Sequence, residues 1–240
     1  MKIAVISFMG GVGKTLLSSY VLAPRMSDTP FYSVESINRS AVDLGLTNVV
    51  TFAGRQFSEL LEEIVFEDNA IVDVGVSNVE AFFAAMGKYD QGANEFDRYI
   101  IPVCPEVRTQ EEAIKTALTL VKAGVDKKKI FFVPNRYNTA ESFESQYSVL
   151  ESFSIQEKIG HFKKDYAIND SAVYEYLADE RISFSELLKE SENAEAFKAA
   201  AKVETDKEKR RELAHKYTNM KLAVLVQKNL DNAYKALIGA

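Results

Sequence analysis

A glycine-rich hexapeptide near the N-terminus constrains the fold more than any other feature of the sequence. It reads Gly10-Gly11-Val12-Gly13-Lys14-Thr15, and it stands between an apolar run at residues 3–7 and a helical pattern at residues 14–26. Glycines let successive backbone N–H groups turn towards one point, and the start of a helix adds the positive end of its dipole. A strand, such a loop and a helix in this order are typical of a phosphate-binding P-loop.

The side chains that close the hexapeptide suit a nucleotide. We predict that Lys14 bridges the β- and γ-phosphates of ATP, with a part in catalysis, and that the Thr15 hydroxyl binds Mg²⁺. Leu16 is the next residue of the predicted cradle, which therefore covers residues 10–16. The alternative is a glycine-rich turn between a strand and a helix that holds no ligand.

Four further apolar runs, at residues 31–34, 70–74, 99–103 and 130–133, have the near-continuous hydrophobicity of parallel strands that are covered on both faces. Helical patterns at residues 58–66 and 109–123 lie between them, and a weaker strand is predicted at 156–162. Strands that alternate with helices predict an α/β fold with a doubly wound, mostly parallel sheet. We divide the chain into a nucleotide-binding domain, residues 1–190, and a helical C-terminal extension, residues 191–240, packed on or next to it.

The third predicted strand has an aspartate near its end, and a glycine follows two residues later, in the sequence Asp73-Val74-Gly75. A carboxylate here would hold Mg²⁺, usually through water, and Gly75 would let the next segment approach the γ-phosphate. The alternative is that Asp73 caps a strand end or the helix start at residues 77–80.

The hexapeptide departs from the general P-loop pattern, because Phe8 stands where that pattern has glycine. In this form the loop resembles that of the ParA/MinD group of P-loop ATPases, and the resemblance covers about residues 1–190. Members of the group carry a signature lysine before the double glycine that reaches across a nucleotide-dependent homodimer. Here that residue is Met9. In the group, the second strand ends in two aspartates spaced by one residue, and the second helps to position the attacking water. This chain has Glu35 and Ile37 at these positions. The resemblance therefore makes Glu35 a candidate catalytic carboxylate, and the alternative is a solvated strand end.

The same resemblance gives a role to Asn135, which follows the fifth strand, since the group uses an asparagine here to bind adenine. The alternative is a turn residue, because Pro134-Asn135 favours turns. Within the group, the runs at residues 22–26, 34–38 and 72–82 look closest to the StbB stability proteins of conjugative plasmids. The resemblance implies a slow ATPase in plasmid stability, segregation and conjugation, with a plasmid-encoded DNA-binding partner. The alternatives are a nucleotide-binding switch without hydrolysis and an ATP-dependent small-molecule enzyme similar to dethiobiotin synthetase.

Composition excludes several other classes. A single cysteine and two distant histidines argue against a disulfide framework and a transition-metal centre. No apolar run reaches the ~18 residues of a membrane span, and we expect a cytoplasmic protein. The net charge is −6, yet residues 202–235 hold nine Lys/Arg and five Asp/Glu, an excess of four. This basic helix could contact DNA without sequence preference, or it could be a solvated face whose apolar residues, Leu213, Tyr217, Leu222, Leu225 and Val226, pack on the core.

Overall fold

A single parallel sheet of seven strands organises the computed structural model, which describes residues 1–35, 46, 48–90 and 92–239. The strand order is β3-β2-β4-β1-β5-β6-β7, and every neighbouring pair is parallel. The predicted doubly wound α/β fold is therefore confirmed. The strands are β1 (Lys2–Ile6), β2 (Phe31–Val34), β3 (Val49–Phe52), β4 (Ala70–Val74), β5 (Arg98–Val103), β6 (Ile130–Pro134) and β7 (His161–Phe162).

Two strands differ from the prediction. β3 has no counterpart among the predicted strands, because its middle residues are exposed at the sheet edge and its sequence is not a continuous apolar run. The strand predicted at residues 156–162 is mostly wrong: a helix continues to Glu157, and only His161 and Phe162 pair with β6.

Helices cover both faces of the sheet. The segment after β1 begins as α1 (Lys14–Leu16), widens into a π-helix (Leu17–Leu22) and ends in a 3₁₀ turn (Ala23–Arg25). The predicted helix at residues 14–26 is thus correct in place but not uniformly α-helical. The remaining helices are α2 (Phe57–Ile64), α3 (Val79–Met86), α4 (Val107–Lys122), α5 (Phe143–Gln146), α6 (Ser148–Glu157), α7 (Val173–Glu180), α8 (Phe184–Ser191), α9 (Ala194–Val203) and α10 (Lys207–Ile238).

Successive residues of a central strand enter opposite cores, which explains why the predicted strands were apolar throughout. In β1, Ala4 and Ile6 face one core, and Ile3 and Val5 face the other. The first core is completed by α2, α3, α4 and α6, and it includes Phe82, Phe83 and Met86. The second is completed by the π-helix, α7, α8 and α10.

The long helix α10 is fastened to the domain by polar contacts as well as by its apolar face. Asp231 accepts from Arg25 Nε at 2.7 Å, and Arg98 donates to the carbonyls of Leu237 and Ile238 at the helix end. The buried stripe consists of Asn219, Met220, Ala223, Val226, Leu230, Ala233 and Leu237. The predicted packing is correct for Val226 but wrong for Leu222 and Leu225, which are 38% and 62% exposed.

No helix in the described part of the chain is long and apolar enough to cross a membrane.

Candidate functional site

The glycine-rich loop leaves β1 at the carboxyl edge of the sheet, where parallel α/β sheets bind their ligands. Gly11 and Gly13 have φ values of 72° and 93°, in the left-handed region that other residues avoid. Gly13 is also the residue before α1, and no side chain caps the first turn of that helix. The first N–H groups of the helix are therefore available to an anion.

The Lys14 side chain turns back into this loop. Its Nζ donates to the Met9 carbonyl at 2.8 Å and lies 3.5 Å from the Ser7 carbonyl. Lys14 is only 8% exposed, and burial lowers the pKa of its ammonium group, although Asp73 and Glu35 nearby oppose this shift. The loop thus holds a poorly solvated cation beside its own N–H groups, as a phosphate site requires.

Asp73 stands next to the loop because β4 pairs with β1, placing Asp73 opposite Val5. It is 5% exposed, and burial raises the pKa of its carboxyl group to about 6, while a hydrogen bond with the Thr15 side chain and the charge of Lys14 act in the opposite direction. Its Oδ1 has no hydrogen-bond partner among the described residues. A buried carboxylate oxygen left without a partner beside a threonine hydroxyl fits Mg²⁺, which prefers oxygen ligands.

Glu35 reaches the same place from β2, which pairs with β4 on its other side. Its side chain lies over Gly75, so closely that a Cβ added at residue 75 would be 2.6 Å from Glu35 Cγ. Gly75 has φ −63°, so here glycine provides space and not an unusual backbone angle. Ile37, the residue predicted to replace a catalytic aspartate, lies outside the described residues.

These side chains border one cavity of about 630 Å³. The structure brings together eight of the ten predicted site residues: Gly10, Gly11, Gly13, Lys14, Thr15, Leu16, Glu35 and Asp73. The rest of the lining consists of Gly75, Val76 and Ser77, which were not among the predicted site residues. The sequence feature that pointed to this segment was the glycine two residues after Asp73. Lys14 is the only cation that lines this cavity among the described residues, so the lysine and arginine cluster that would bind a second anionic substrate is not found there.

Val12 and Asn135 are the two predicted residues that do not line the cavity. Val12 belongs to the loop, but it is only 1% exposed. Asn135 is 3% exposed, and its Nδ2 donates to the Val12 carbonyl at 2.9 Å. Its predicted contact with adenine stays a prediction, but the structure gives its amide group a partner inside the protein.

Comparison with solved structures identifies the class of fold. The MinC:MinD cell division complex of Aquifex aeolicus matches with a TM-score of 0.60 and 15% identity, over 100% of this chain and 96% of that chain. McdA of Cyanothece matches with a TM-score of 0.57 and 15% identity, over 93% and 99%. Cobyrinic acid a,c-diamide synthase of Mycobacterium smegmatis, bound to an ATP analogue and magnesium, matches with a TM-score of 0.50 and 12% identity, over 71% and 87%.

The chain therefore has the P-loop fold that MinD and McdA share, with the glycine-rich loop at the expected edge of the sheet. In sequence, it matches neither the profile of a known protein family nor any curated protein.

Proposed function

We propose that this protein binds Mg²⁺–ATP at the loop of residues 10–16 and hydrolyses it slowly. The observation that carries this proposal is the meeting of Lys14, Thr15 and Asp73 in one cavity, with Asp73 Oδ1 lacking a partner among the described residues. Backbone N–H groups of the loop and the Lys14 ammonium would bind the phosphates, and Thr15 and Asp73 would hold the metal ion. Bound Mg²⁺ would neutralise charge on the phosphate oxygens.

Slow turnover follows from the groups that the loop lacks. A cation supplied in trans is worth about 10³–10⁵ in rate in arginine-finger enzymes, and Met9 has no charge to supply. Glu35 is the one carboxylate besides Asp73 that lines the cavity in the described part of the chain. We therefore assign to Glu35 the orientation of the attacking water. If Glu35 does not do this, the protein is a nucleotide-binding switch, which is the second candidate function.

In the cell, we propose a ParA-like role in plasmid stability, segregation and conjugation, as in the StbB proteins. This rests on the runs around Glu35 and Asp73 and on the absence of the signature lysine. A MinD-like fold that occurs in complex with MinC supports a protein partner, here a plasmid-encoded DNA-binding protein. We include a nucleotide-dependent homodimer in this proposal.

The basic start of α10 is the proposed DNA contact. Residues 207–212 are all exposed, and Arg210 borders a small cleft with Lys198 and Lys202 from α9. Phosphate contacts of this kind are independent of sequence and weaken as salt is raised. Replacing Arg210 and Arg211 by glutamine should weaken DNA binding and reduce its salt dependence, whereas the same change at Lys127 and Lys128, on another basic segment, should have little effect.

Isothermal calorimetry with ATP and ADP tests the nucleotide site. Lys14→Ala should abolish binding, because it removes the cavity's cation. Lys122→Ala, an exposed lysine on α4, is the matched control and should bind as the wild type does. Equal affinity of wild type and Lys14→Ala would contradict the assignment.

A plasmid-retention assay tests the cellular role. A test plasmid that carries the gene with its neighbouring genes is compared with the same plasmid carrying Lys14→Ala. We expect faster loss of the plasmid with the variant, and equal loss rates would contradict a role in segregation.

A further inference from the structure

Asn135 is buried against the underside of the phosphate loop. Besides the bond from its Nδ2 to the Val12 carbonyl, its own N–H donates to the Val103 carbonyl at 2.7 Å. Tyr147 is fully buried between α5 and α6, and its hydroxyl donates to the Asn135 carbonyl at 2.9 Å. The backbone of Asn135 is therefore held by hydrogen bonds to β5 and Tyr147, while its side chain is hydrogen-bonded to the glycine-rich loop.

The contact with Val12 determines where the next N–H group points. A trans peptide is planar, so the C=O of Val12 and the N–H of Gly13 point in opposite directions. The Val12 carbonyl is directed into the protein, where it accepts from Asn135 Nδ2 and, as a longer contact of 3.8 Å, from the Cys104 thiol, and Gly13 lines the nucleotide cavity. The Gly13 N–H is consequently directed towards the place where phosphates would bind.

Gly13 and the Asn135 side chain are also packed closely against each other. A Cβ added at Gly13 would overlap Asn135 Nδ2. Glycine at residue 13 is thus required twice, by its φ of 93° and by the position of the Asn135 amide. The loop conformation and the Asn135 side chain depend on each other.

We infer that Asn135 is a positioning residue for the phosphate loop: it orients the Val12–Gly13 peptide so that the Gly13 N–H faces the bound phosphates. This inference rests on the proposed nucleotide site and gives Asn135 a function that does not depend on the identity of the base. It predicts that removal of the Asn135 amide weakens every ligand that carries the phosphate chain, by one common factor.

The test compares three ligands: ATP, GTP and inorganic tripolyphosphate, each with Mg²⁺. Calorimetry is done on the wild type, Asn135→Ala and Asn135→Leu, the last being an uncharged variant of similar size that offers no hydrogen-bond donor. The loss of a hydrogen bond that leaves a buried acceptor predicts about ten-fold weaker binding of all three ligands by both variants. The ratio of ATP to GTP affinity should stay as in the wild type.

Two results would overturn the inference. One is a changed ATP-to-GTP ratio with tripolyphosphate affinity unaltered, which would make Asn135 a reader of the base. The other is unchanged affinity for all three ligands. If Asn135→Ala does not fold, Tyr147→Phe provides a milder version, because it removes the hydroxyl that fixes the Asn135 carbonyl. It should weaken the three ligands equally and by a smaller factor, and an effect on ATP alone would contradict the inference.

Lys14→Ala separates this inference from the proposed function. If Lys14→Ala binds the ligands as well as the wild type does, the nucleotide site itself is wrong and the inference falls with it. If Lys14→Ala loses binding while Asn135→Ala alters only base preference, the nucleotide site stands and the inference about the loop is wrong.

Discussion

Burying the Asp73 carboxylate without a metal ion costs free energy of folding, and Asp73→Asn should remove that cost. Burial raises the pKa of this carboxyl group from its ordinary value of 3.8 to about 6. At about 1.4 kcal/mol per pKa unit, this rise corresponds to about 3 kcal/mol of destabilisation when the group is fully ionised. Asparagine has nearly the same shape and keeps an oxygen for the Thr15 hydroxyl, but it carries no charge.

The cost has a definite pH window. Below about pH 4, the carboxyl group is protonated in both the folded and the unfolded chain, so it contributes no pH dependence. Between about pH 4 and pH 6, the unfolded chain loses this proton while the folded chain keeps it, so rising pH favours unfolding. Above about pH 6, the full penalty is present. The stability gained by Asp73→Asn should therefore be near its minimum at about pH 4 and reach about 3 kcal/mol above about pH 7.

Denaturant unfolding in the presence of a chelator, followed over this pH range, measures the difference between wild type and Asp73→Asn. Asp179→Asn, which removes a carboxylate at an exposed position on α7, is the control. Mg²⁺–ATP at about 1,000 times its Kd should reverse the order, since it stabilises the wild type by about 4.1 kcal/mol and Asp73→Asn, which lacks the metal-binding carboxylate, gains less. A stability difference between wild type and Asp73→Asn that is the same at every pH would refute the reasoning.

Three further predictions concern catalysis and the C-terminal helix. The purified protein should hydrolyse ATP far more slowly than the ~1–100 s⁻¹ of ordinary phosphoryl-transfer enzymes. Met9→Lys should raise this rate or produce nucleotide-dependent dimers that are detected by light scattering. Brisk hydrolysis that is insensitive to Glu35→Ala would contradict this prediction. Gly75→Ala should displace Glu35 and lower the ATPase rate while ATP binding changes little, whereas Gly87→Ala, where an added Cβ comes no closer than 3.4 Å to its neighbours, should leave the rate unaltered. Asp231→Ala should lower the free energy of unfolding, measured with denaturant, by about 1–3 kcal/mol, because it leaves the largely buried Arg25 without its carboxylate partner. Loss of the more exposed ion pair between Lys216 and Glu190 should lower it by under about 1 kcal/mol.

The meeting of Lys14, Asp73 and Glu35 could be predicted because it depends on topology alone. Each of these residues follows or ends a parallel strand, and the carboxyl ends of parallel strands share one edge of the sheet. The direction of the Asn135 side chain could not be predicted in this way. It depends on the distance in space between β6 and the glycine-rich loop, which cannot be read from the spacing of residues along the sequence. Because buried carbonyl groups are nearly always hydrogen-bonded, the Asn135 amide donates to the neighbouring Val12 carbonyl and is not left free for a ligand.

The rotation of α10 shows a second limit. Its apolar residues form two neighbouring stripes, one through Met220, Ala223 and Val226 and another through Leu222 and Leu225. Hydrophobic periodicity fits either stripe, because the two are adjacent on the helix surface. Contacts between distant parts of the chain accompany the observed rotation: Arg25 binds Asp231, and Asn229 donates to the Ala167 carbonyl at 2.9 Å.

The charges around the cavity at the glycine-rich loop favour the proposed nucleotide binding over the proposed hydrolysis. The pKa of Lys14 is lowered and that of Asp73 is raised, both chiefly by burial, so each group is held where its charged form is penalised. A phosphate chain would offset the penalty on Lys14, and a divalent cation would offset that on Asp73. Both penalties are therefore relieved when Mg²⁺ and nucleotide bind together, which predicts strong mutual dependence of the two ligands. The proposed hydrolysis gains no comparable advantage, because Met9 supplies no cation for the transition state and, among the described residues that line the cavity, only Glu35 is free of the proposed metal ion to orient water.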